Sequence, residues 1–364
     1  MSQLFSELKV KDIVFRNRIG VSPMCQYSSN DGVANDWHLV QLGSRAVGGA
    51  GLIIAEATAV VPEGRITPGC AGLWNDDQIE PLIKLNNFVK QHGAVAGIQL
   101  AHAGRKASSA RPWDGGVHLA DKEAGWPIVG PSDQAFDQDG TRLMKAPSQM
   151  TKADIKNVQA AFVAATHRAI AAGYDLVEIH GAHGYLLHSF FSPLVNHRDD
   201  EYGGSLRNRA RFMLETVEAV RAVWPDNKPL AVRLSVADWV EGGLVCEDNI
   251  EMAKWLGQRG VDFIDCSSGG ASPAARSSMG DRTAEQVGLA GRIREGANIK
   301  TMAVGAITNA QYAEEIIASG TADIALMARH SLLDPYWPIT AAQQLGVPTR
   351  DLMPIQNGFF VGTD

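Results

Sequence analysis

Junctions between helix and strand recur along this chain with one signature: a glycine, one or two residues, usually an aspartate, then a run of apolar β-formers. Ala172-Gly173-Tyr174-Asp175 leads into LVEIH, Arg259-Gly260-Val261-Asp262 into FIDCS, and Ser319-Gly320-Thr321-Ala322-Asp323 into IALM. Gly49-Ala50-Gly51 leads into LIIAEA without the aspartate. A glycine in that place supplies the left-handed residue that closes a helix before the next strand begins. Strands that are apolar throughout and separated by helices belong in a parallel sheet covered on both faces.

Eight such strands are predicted, over 18–24, 51–57, 94–100, 175–180, 229–234, 262–267, 299–304 and 322–327. Eight β/α units point to a closed α/β barrel of the (β/α)8 (TIM) type more than to an open doubly wound sheet. The length of 364 residues alone would fit two or three domains, but no composition break divides the chain, so residues 1–364 read as one domain. Between the strands, Ile155, Val158, Phe162, Ala165 and Ala169 step by three and four behind a capping-box-like Thr151 and Asp154. Met213, Val217, Val220 and Trp224 repeat the pattern, Thr308 with Gln311 opens a helix holding Ile316 and Ile317, and a last helix falls near 336–345. Residues 1–17 read as a short N-terminal plug under the barrel. Roughly 50 residues separate strand three from its helix, far more than such connections need, and read as a lid carrying Arg111, Trp113 and Trp126.

A net charge of −7 argues against a nucleic-acid or anionic membrane surface. No run of 18 apolar residues offers a membrane span, and Glu7, Lys9, Lys11 and Asp12 leave no room for an apolar signal region in the first twelve residues. Cys25, Cys70, Cys246 and Cys266 show neither paired nor metal-ligand spacing. The expectation is a cytoplasmic protein without metal, nucleic-acid or membrane partners, acting on a small molecule.

In a barrel of this kind the C-terminal ends of the strands form the site. Strand one ends in Ser22-Pro23-Met24-Cys25-Gln26-Tyr27, strand two in Glu56-Ala57-Thr58, and strand three in Gln99 followed by His102, Arg105 and Lys106. Strand five carries Arg233, strand seven runs into Gly305-Ala306 and strand eight into Ala328-Arg329. An arginine inside a buried sheet needs its charge matched, either by a carboxylate such as Glu178 or by an anionic ligand. Gly305 and Arg329 lie where barrels bind phosphate through backbone N–H groups and a guanidinium fork. His180-Gly181-Ala182-His183-Gly184-Tyr185 admits three readings: a metal pair, two structurally satisfied rings, or two N–H donors aimed at one oxygen beside a phenol that passes a proton.

Together these segments resemble the old yellow enzyme family of flavin-dependent ene-reductases. The resemblance runs from FRNR and SPMCQYS through QLAHAGRKA and HGAHGYLLHSFFSP to NHRDDEYGGSL with Asn208-Arg209 and Arg211-Phe212, and the Cys25/Tyr27 pair is similar to the xenobiotic reductase and thermophilic-like subgroup. It implies a barrel holding non-covalent FMN against Ser22, Pro23, Met24, Cys25, Ala57, Gln99, Arg233, Gly305, Ala328 and Arg329, with NADPH as the hydride donor. It further implies that His180 and His183 grip a substrate oxygen, that Tyr185 is the proton donor and that Tyr27 lines the substrate pocket. The implied activity is reduction of activated C=C bonds in α,β-unsaturated carbonyls and nitro compounds in two alternating half-reactions. A homodimer or higher homo-oligomer is implied too. Two departures stand out: Ala328 replaces the family's usual glycine, and the tail QNGFFVGTD offers Phe359 or Phe360 where subgroup members send an Arg or Trp into a neighbouring pocket. The rival readings are another FMN barrel, such as a 2-hydroxy-acid oxidase, a phosphate-sugar lyase or isomerase with a Schiff-base lysine, and a non-catalytic flavin sensor.

Overall fold

The computed structural model describes residues 2–136, 144–275 and 283–364. An antiparallel hairpin of β1 (Leu8–Val10) and β2 (Ile13–Phe15) precedes the first barrel strand, β3 (Ile19–Val21). The other barrel strands are β4 (Leu52–Ala59), β5 (Val95–Ala101), β8 (Leu176–Gly181), β9 (Leu230–Ser235), β10 (Phe263–Ser267), β11 (Lys300–Val304) and β12 (Ile324–Met327). The two-residue strands β6 (Val129–Gly130) and β7 (Ser148–Gln149) pair with each other in the long connection after β5. The eight strands close in the order β10-β11-β12-β3-β4-β5-β8-β9, every neighbouring pair parallel. This is the expected (β/α)8 barrel.

Helices α1 (Asp36–Val47), α2 (Ile79–Gln91), α3 (Lys152–Ala171), α4 (Leu186–Phe191), α5 (Leu206–Arg221), α6 (Cys246–Gly257), α7 (Thr283–Ala297), α8 (Ala310–Ala318), α9 (Arg329–Leu333), α10 (Trp337–Gln344) and α11 (Ile355–Val361) follow in chain order. Thr151 accepts from the Asp154 backbone N–H while Asp154 accepts from that of Thr151, so α3 starts with the expected capping box. Helix α8 begins one residue later than expected. Asn309, not Thr308, is its cap, accepting the Tyr312 N–H at 2.8 Å. Trp224 falls beyond the end of α5, where its indole N–H binds the Pro229 carbonyl at 3.0 Å.

The glycine–aspartate signature has a structural reason. Gly173 and Gly320 take φ of 80° and 74°, the left-handed turn off a helix. The aspartate that follows then caps a neighbouring strand: Asp262 accepts the N–H of Leu230 at 2.9 Å, and Asp323 that of Thr301 at 3.0 Å. Asp175 instead lies 3.6 Å from Lys90 and 3.5 Å from Lys228.

Alternate residues of each strand face the barrel interior. Leu52, Ile54, Val95, Leu176, Ala231, Phe263, Met302, Ile324 and Leu326 form its lower filling with Leu8, Val10 and Phe15 of the hairpin. Phe15 is fully buried and meets Phe263 edge-on at 5.9 Å. Burying a phenylalanine stabilises by about 1.5–3 kcal/mol, which ties the hairpin to the barrel floor as the expected plug. Ile53, Ala55, Ile98, Val177, Ile179, Val232, Ile264 and Ala303 point outward into the layer shared with the helices. No helix of the described residues is long and apolar enough to cross a membrane.

Candidate active site

Above the apolar filling, the inner face turns polar. Gln99, Glu178, Arg233 and Asp265 come from the adjacent strands β5, β8, β9 and β10, and none is more than 6% exposed. Gln99 stands in register with Glu178 and donates to its carboxylate at 2.7 Å. Arg233 stands in register with Asp265, and its Nε lies 3.1 Å from Asp265 Oδ2. The charge match anticipated for Arg233 therefore exists, but the ion pair is with Asp265 and not with Glu178. The reason is lateral: β10 flanks β9 at the same height, so Asp265 is the carboxylate directly beside the guanidinium.

One pleat higher, the same strands present His180, Ser235 and Ser267. His183, just past β8, donates its backbone N–H to Ser235 Oγ at 2.9 Å and sets its ring Nε2 2.6 Å from Ser267 Oγ. The two imidazoles stand nearly perpendicular, 5.2 Å apart, and the Tyr185 ring lies 5.0 Å from that of His180. Burial, reinforced by the Arg233 charge, pushes both histidines well below their ordinary range, so both are neutral near pH 7. His180 Nδ1 accepts the Ala182 N–H at 3.3 Å, which leaves its proton on Nε2. His180 is thus set as a donor, whereas His183 is engaged by Ser267.

The loop that carries them is held from three sides. His183 and Gly184 take φ of 60° and 71°, a left-handed pair in which glycine is required at the second position. A Cβ on Gly184 would meet the Gly270 carbonyl oxygen at 2.1 Å. Lys106 bridges the His183 and Gly270 carbonyls at 2.7 Å each and lies over the Phe136 and Tyr185 rings. Gly184 donates to His188 Nδ1 at 2.7 Å, and His188 Nε2 lies 3.0 Å from Asp238, both side chains fully buried.

On the first strand's side, Ser22 is buried and its N–H binds the Met327 carbonyl at 2.9 Å. Strand β4 runs two residues past its expected end and slips register between Ala55 and Ala57. The slip brings Ala57 alongside Gln99, while Glu56 lies 3.4 Å from His38 of α1 and accepts the Gln26 N–H. Burial and then Glu56 push the Cys25 thiol well above its usual range, and burial also raises the Tyr27 phenol. Both are protonated at neutral pH, and Cys25 is no nucleophile there. At the far side, Ala306 after β11 has φ 47°, and Ala328 opens α9 with φ −110° and ψ −110°. Arg329 is exposed and makes no ion pair or hydrogen bond among the described residues.

Tyr185 and Tyr27 both line a cavity of about 270 Å³, walled further by Lys106, Ser109, Phe136 and Met144. The long connection after β5 thus borders the site; its residues 137–143 lie outside the described ones. Trp126 of that connection stacks over Arg65 at 5.0 Å, with Trp74 on the same guanidinium at 5.3 Å. Trp113 meets Tyr27 edge-on at 5.9 Å. Sequence reading missed Asp265, Ser235, Ser267 and the His188–Asp238 pair. The signal for the first three was present: Ala231-Arg233-Ser235 and Phe263-Asp265-Ser267 alternate in step.

Residues 3–347 match the NADH:flavin oxidoreductase / NADH oxidase family. The chain is 46% identical over 348 residues to an NADPH dehydrogenase of Listeria monocytogenes serotype 4b (strain CLIP80459), covering 95% of this chain and 96% of that protein. It is 43% identical over 360 residues to an NADPH dehydrogenase of Geobacillus sp. (strain WCH70), covering 98% and 99%. Among solved structures, morphinone reductase superposes with a TM-score of 0.75 at 26% identity, covering 95% of this chain and 90% of that one.

Proposed function

Because this chain belongs to the NADH:flavin oxidoreductase / NADH oxidase family, we propose that it is an FMN-dependent NADPH dehydrogenase that reduces activated C=C bonds of α,β-unsaturated carbonyl and nitro compounds in two alternating half-reactions. The observation that carries this reading is the placing of neutral His180, with its proton on Nε2, and of Tyr185 within 5.0 Å of each other at the mouth of a barrel floored by Arg233. Relatives named NADPH dehydrogenase support the choice of nicotinamide donor.

The residues present suit FMN in kind. Ser22, Pro23, Met24, Cys25, Ala57, Gln99 and Arg233 would hold the ring, and Gly305, Ala328 and the exposed Arg329 the phosphate. Bound FMN would supply the hydride chemistry between nicotinamide and alkene, for which no side chain is equipped.

The chain's own groups do the rest. His180 donates its Nε2–H to the carbonyl or nitro oxygen of the substrate, and His183 joins it by giving up Ser267. Two N–H donors on one oxygen stabilise the negative charge that develops there as the double bond is reduced. Tyr185 delivers a proton to the α-carbon. Tyr27 and the connection after β5 wall the pocket and exclude water. The exposed Phe359 and Phe360 on α11 support a homodimer or higher homo-oligomer as the working form.

The test is a visible spectrum of the purified protein. It should show an oxidised flavin that bleaches with NADPH under anaerobic conditions and returns on adding cyclohexenone. A protein that bleaches but is not reoxidised by any enone or nitroalkene would refute the substrate class.

A further inference from the structure

The inner layer beneath the two histidines holds more negative than positive groups. Glu178 and Asp265 are both completely buried, and Arg233 is the guanidinium set among them. Glu178 Oε1 receives the Gln99 amide, but among the described residues Glu178 Oε2 and both Asp265 oxygens receive no hydrogen bond from any N–H or O–H. Arg233 Nε sits 3.1 Å from Asp265 Oδ2 without the alignment of a hydrogen bond. Two ionised carboxylates here would leave one uncompensated charge in a sealed interior, together with three acceptor atoms and nothing to accept.

One proton resolves both problems. We propose that Glu178 and Asp265 share a single proton, Glu178 being the neutral acid that donates through Oε2 to Asp265, so that one carboxylate faces Arg233 and the layer is electrically neutral. The arrangement assigns the partners. Asp265 is the nearer to Arg233 and keeps the negative charge, while Glu178 is anchored by a neutral amide. Burial and then the charge of Asp265 push Glu178 well above the usual carboxylate range. Asp265 is raised by burial but drawn back by Arg233. The groups facing the pair are Gln99 from β5, Arg233 from β9 and, one pleat above on β8, the neutral His180.

Glu178 and Asp265 are then positioning residues with unequal tasks. Asp265 fixes how much of Arg233's charge reaches the ligand above it. Glu178 supplies a neutral strut that holds Asp265 and Gln99 in place.

The experiment separates the two by charge. Infrared spectroscopy of the protein at pH 8 should show a carboxylic-acid C=O band that shifts on 13C-carboxyl labelling of glutamate and disappears in E178Q. Labelling tests the wild type itself, so the result does not depend on the variant folding. Thermal unfolding gives a second reading. Unfolded Glu178 ionises near the ordinary glutamate value of 4.5 while the folded acid stays protonated, so folding loses stability as pH rises above 4.5. E178Q removes that loss, and the ratio of its folding equilibrium constant to that of wild type should grow by about tenfold per pH unit over this range. The third reading rests on the flavin assignment above: D265N, leaving Arg233 uncompensated, should raise the flavin midpoint potential, whereas E178Q should leave it unchanged. No glutamate-derived acid band would place the proton off Glu178, and an E178Q potential raised as far as that of D265N would mean that both groups are ionised; either result would overturn the proposal. The first two readings need no flavin, so a colourless protein would refute the proposed function and leave this inference standing.

Discussion

His183 Nε2 lies 2.6 Å from Ser267 Oγ, at the short end of hydrogen-bond distances. The ring that is proposed to grip substrate is thus already gripped, and ligand binding must exchange one hydroxyl for another oxygen. Phenols, whose oxygen imitates an enolate, report on that exchange through a long-wavelength band with oxidised flavin. His180→Ala and His183→Ala should each weaken phenol binding. Ser267→Ala should strengthen it several-fold, because a competing bond of about 0.5–1.5 kcal/mol is gone. A titration unchanged in all three variants would make the histidines structural.

Arg329 is exposed and, among the described residues, unpaired at the end of β12, beside the turn at Gly305 and Ala306 that ends β11. The bound flavin should be released on heating as FMN and not FAD. Arg329→Ala should cost about 1.5–3 kcal/mol of FMN binding, the worth of a hydrogen bond to a charged group. Equilibrium dialysis measures it, and undiminished retention would place the phosphate elsewhere.

Tyr185→Phe should divide the two half-reactions. Reduction of the protein by NADPH calls for no proton at carbon and should be nearly unaffected. Reoxidation by cyclohexenone should slow by about 10²–10⁴-fold, the usual contribution of a general acid. Nitroalkenes, whose nitronate products persist without immediate protonation, should suffer less. Stopped-flow traces of each half-reaction decide the matter, and equal small losses in both would leave Tyr185 as pocket wall.

His102 accepts the Gly104 N–H on Nδ1 and is pulled by burial from 6.5 down to about 4. Between those values the unfolded ring binds a proton that the folded one refuses, so stability falls as pH drops from 6.5 towards 4. The full effect is on the order of 3 kcal/mol. His102→Asn, which keeps an acceptor but does not titrate, should flatten the acid limb of a plot of Tm against pH. An unaltered slope would mean that the ring is already charged in the folded protein.

Arg65 sits between Trp74 and Trp126 and joins the long connection after β5 to the loop after β4. Arg65→Met keeps the aliphatic stem and removes the charge, and should loosen that connection by about 0.5–2 kcal/mol. Faster proteolytic cleavage within residues 105–150, with global Tm little changed, is the expected result. Equal cleavage rates would show that the two rings hold the connection without the cation.

The barrel was legible because its strands are apolar on both faces and its junctions carry glycine and aspartate. Both features are local, and the strands fell where the pattern put them. The slip at Glu56 was not legible, since a one-residue shift leaves no mark in a run like LIIAEATA. Asn309 and Thr308 are both good caps, and the choice between them rests on backbone direction. In the site, Arg233 drew notice as a charge inside an apolar strand. Asp265 is the same anomaly in FIDCS, but that the two stand side by side follows from β9 pairing with β10, a relation that linear order does not express. The hold of Ser267 on His183 spans 84 positions and belongs to the same class.

The hairpin under the barrel has a last consequence, for traffic. With Phe15 wedged against Phe263, the interior is a cul-de-sac, and every molecule that enters must leave by the door it came through. Donor and acceptor cannot approach from opposite ends and pass one another. They must queue, and the alternation of two half-reactions proposed above would then be enforced by architecture before any chemistry begins.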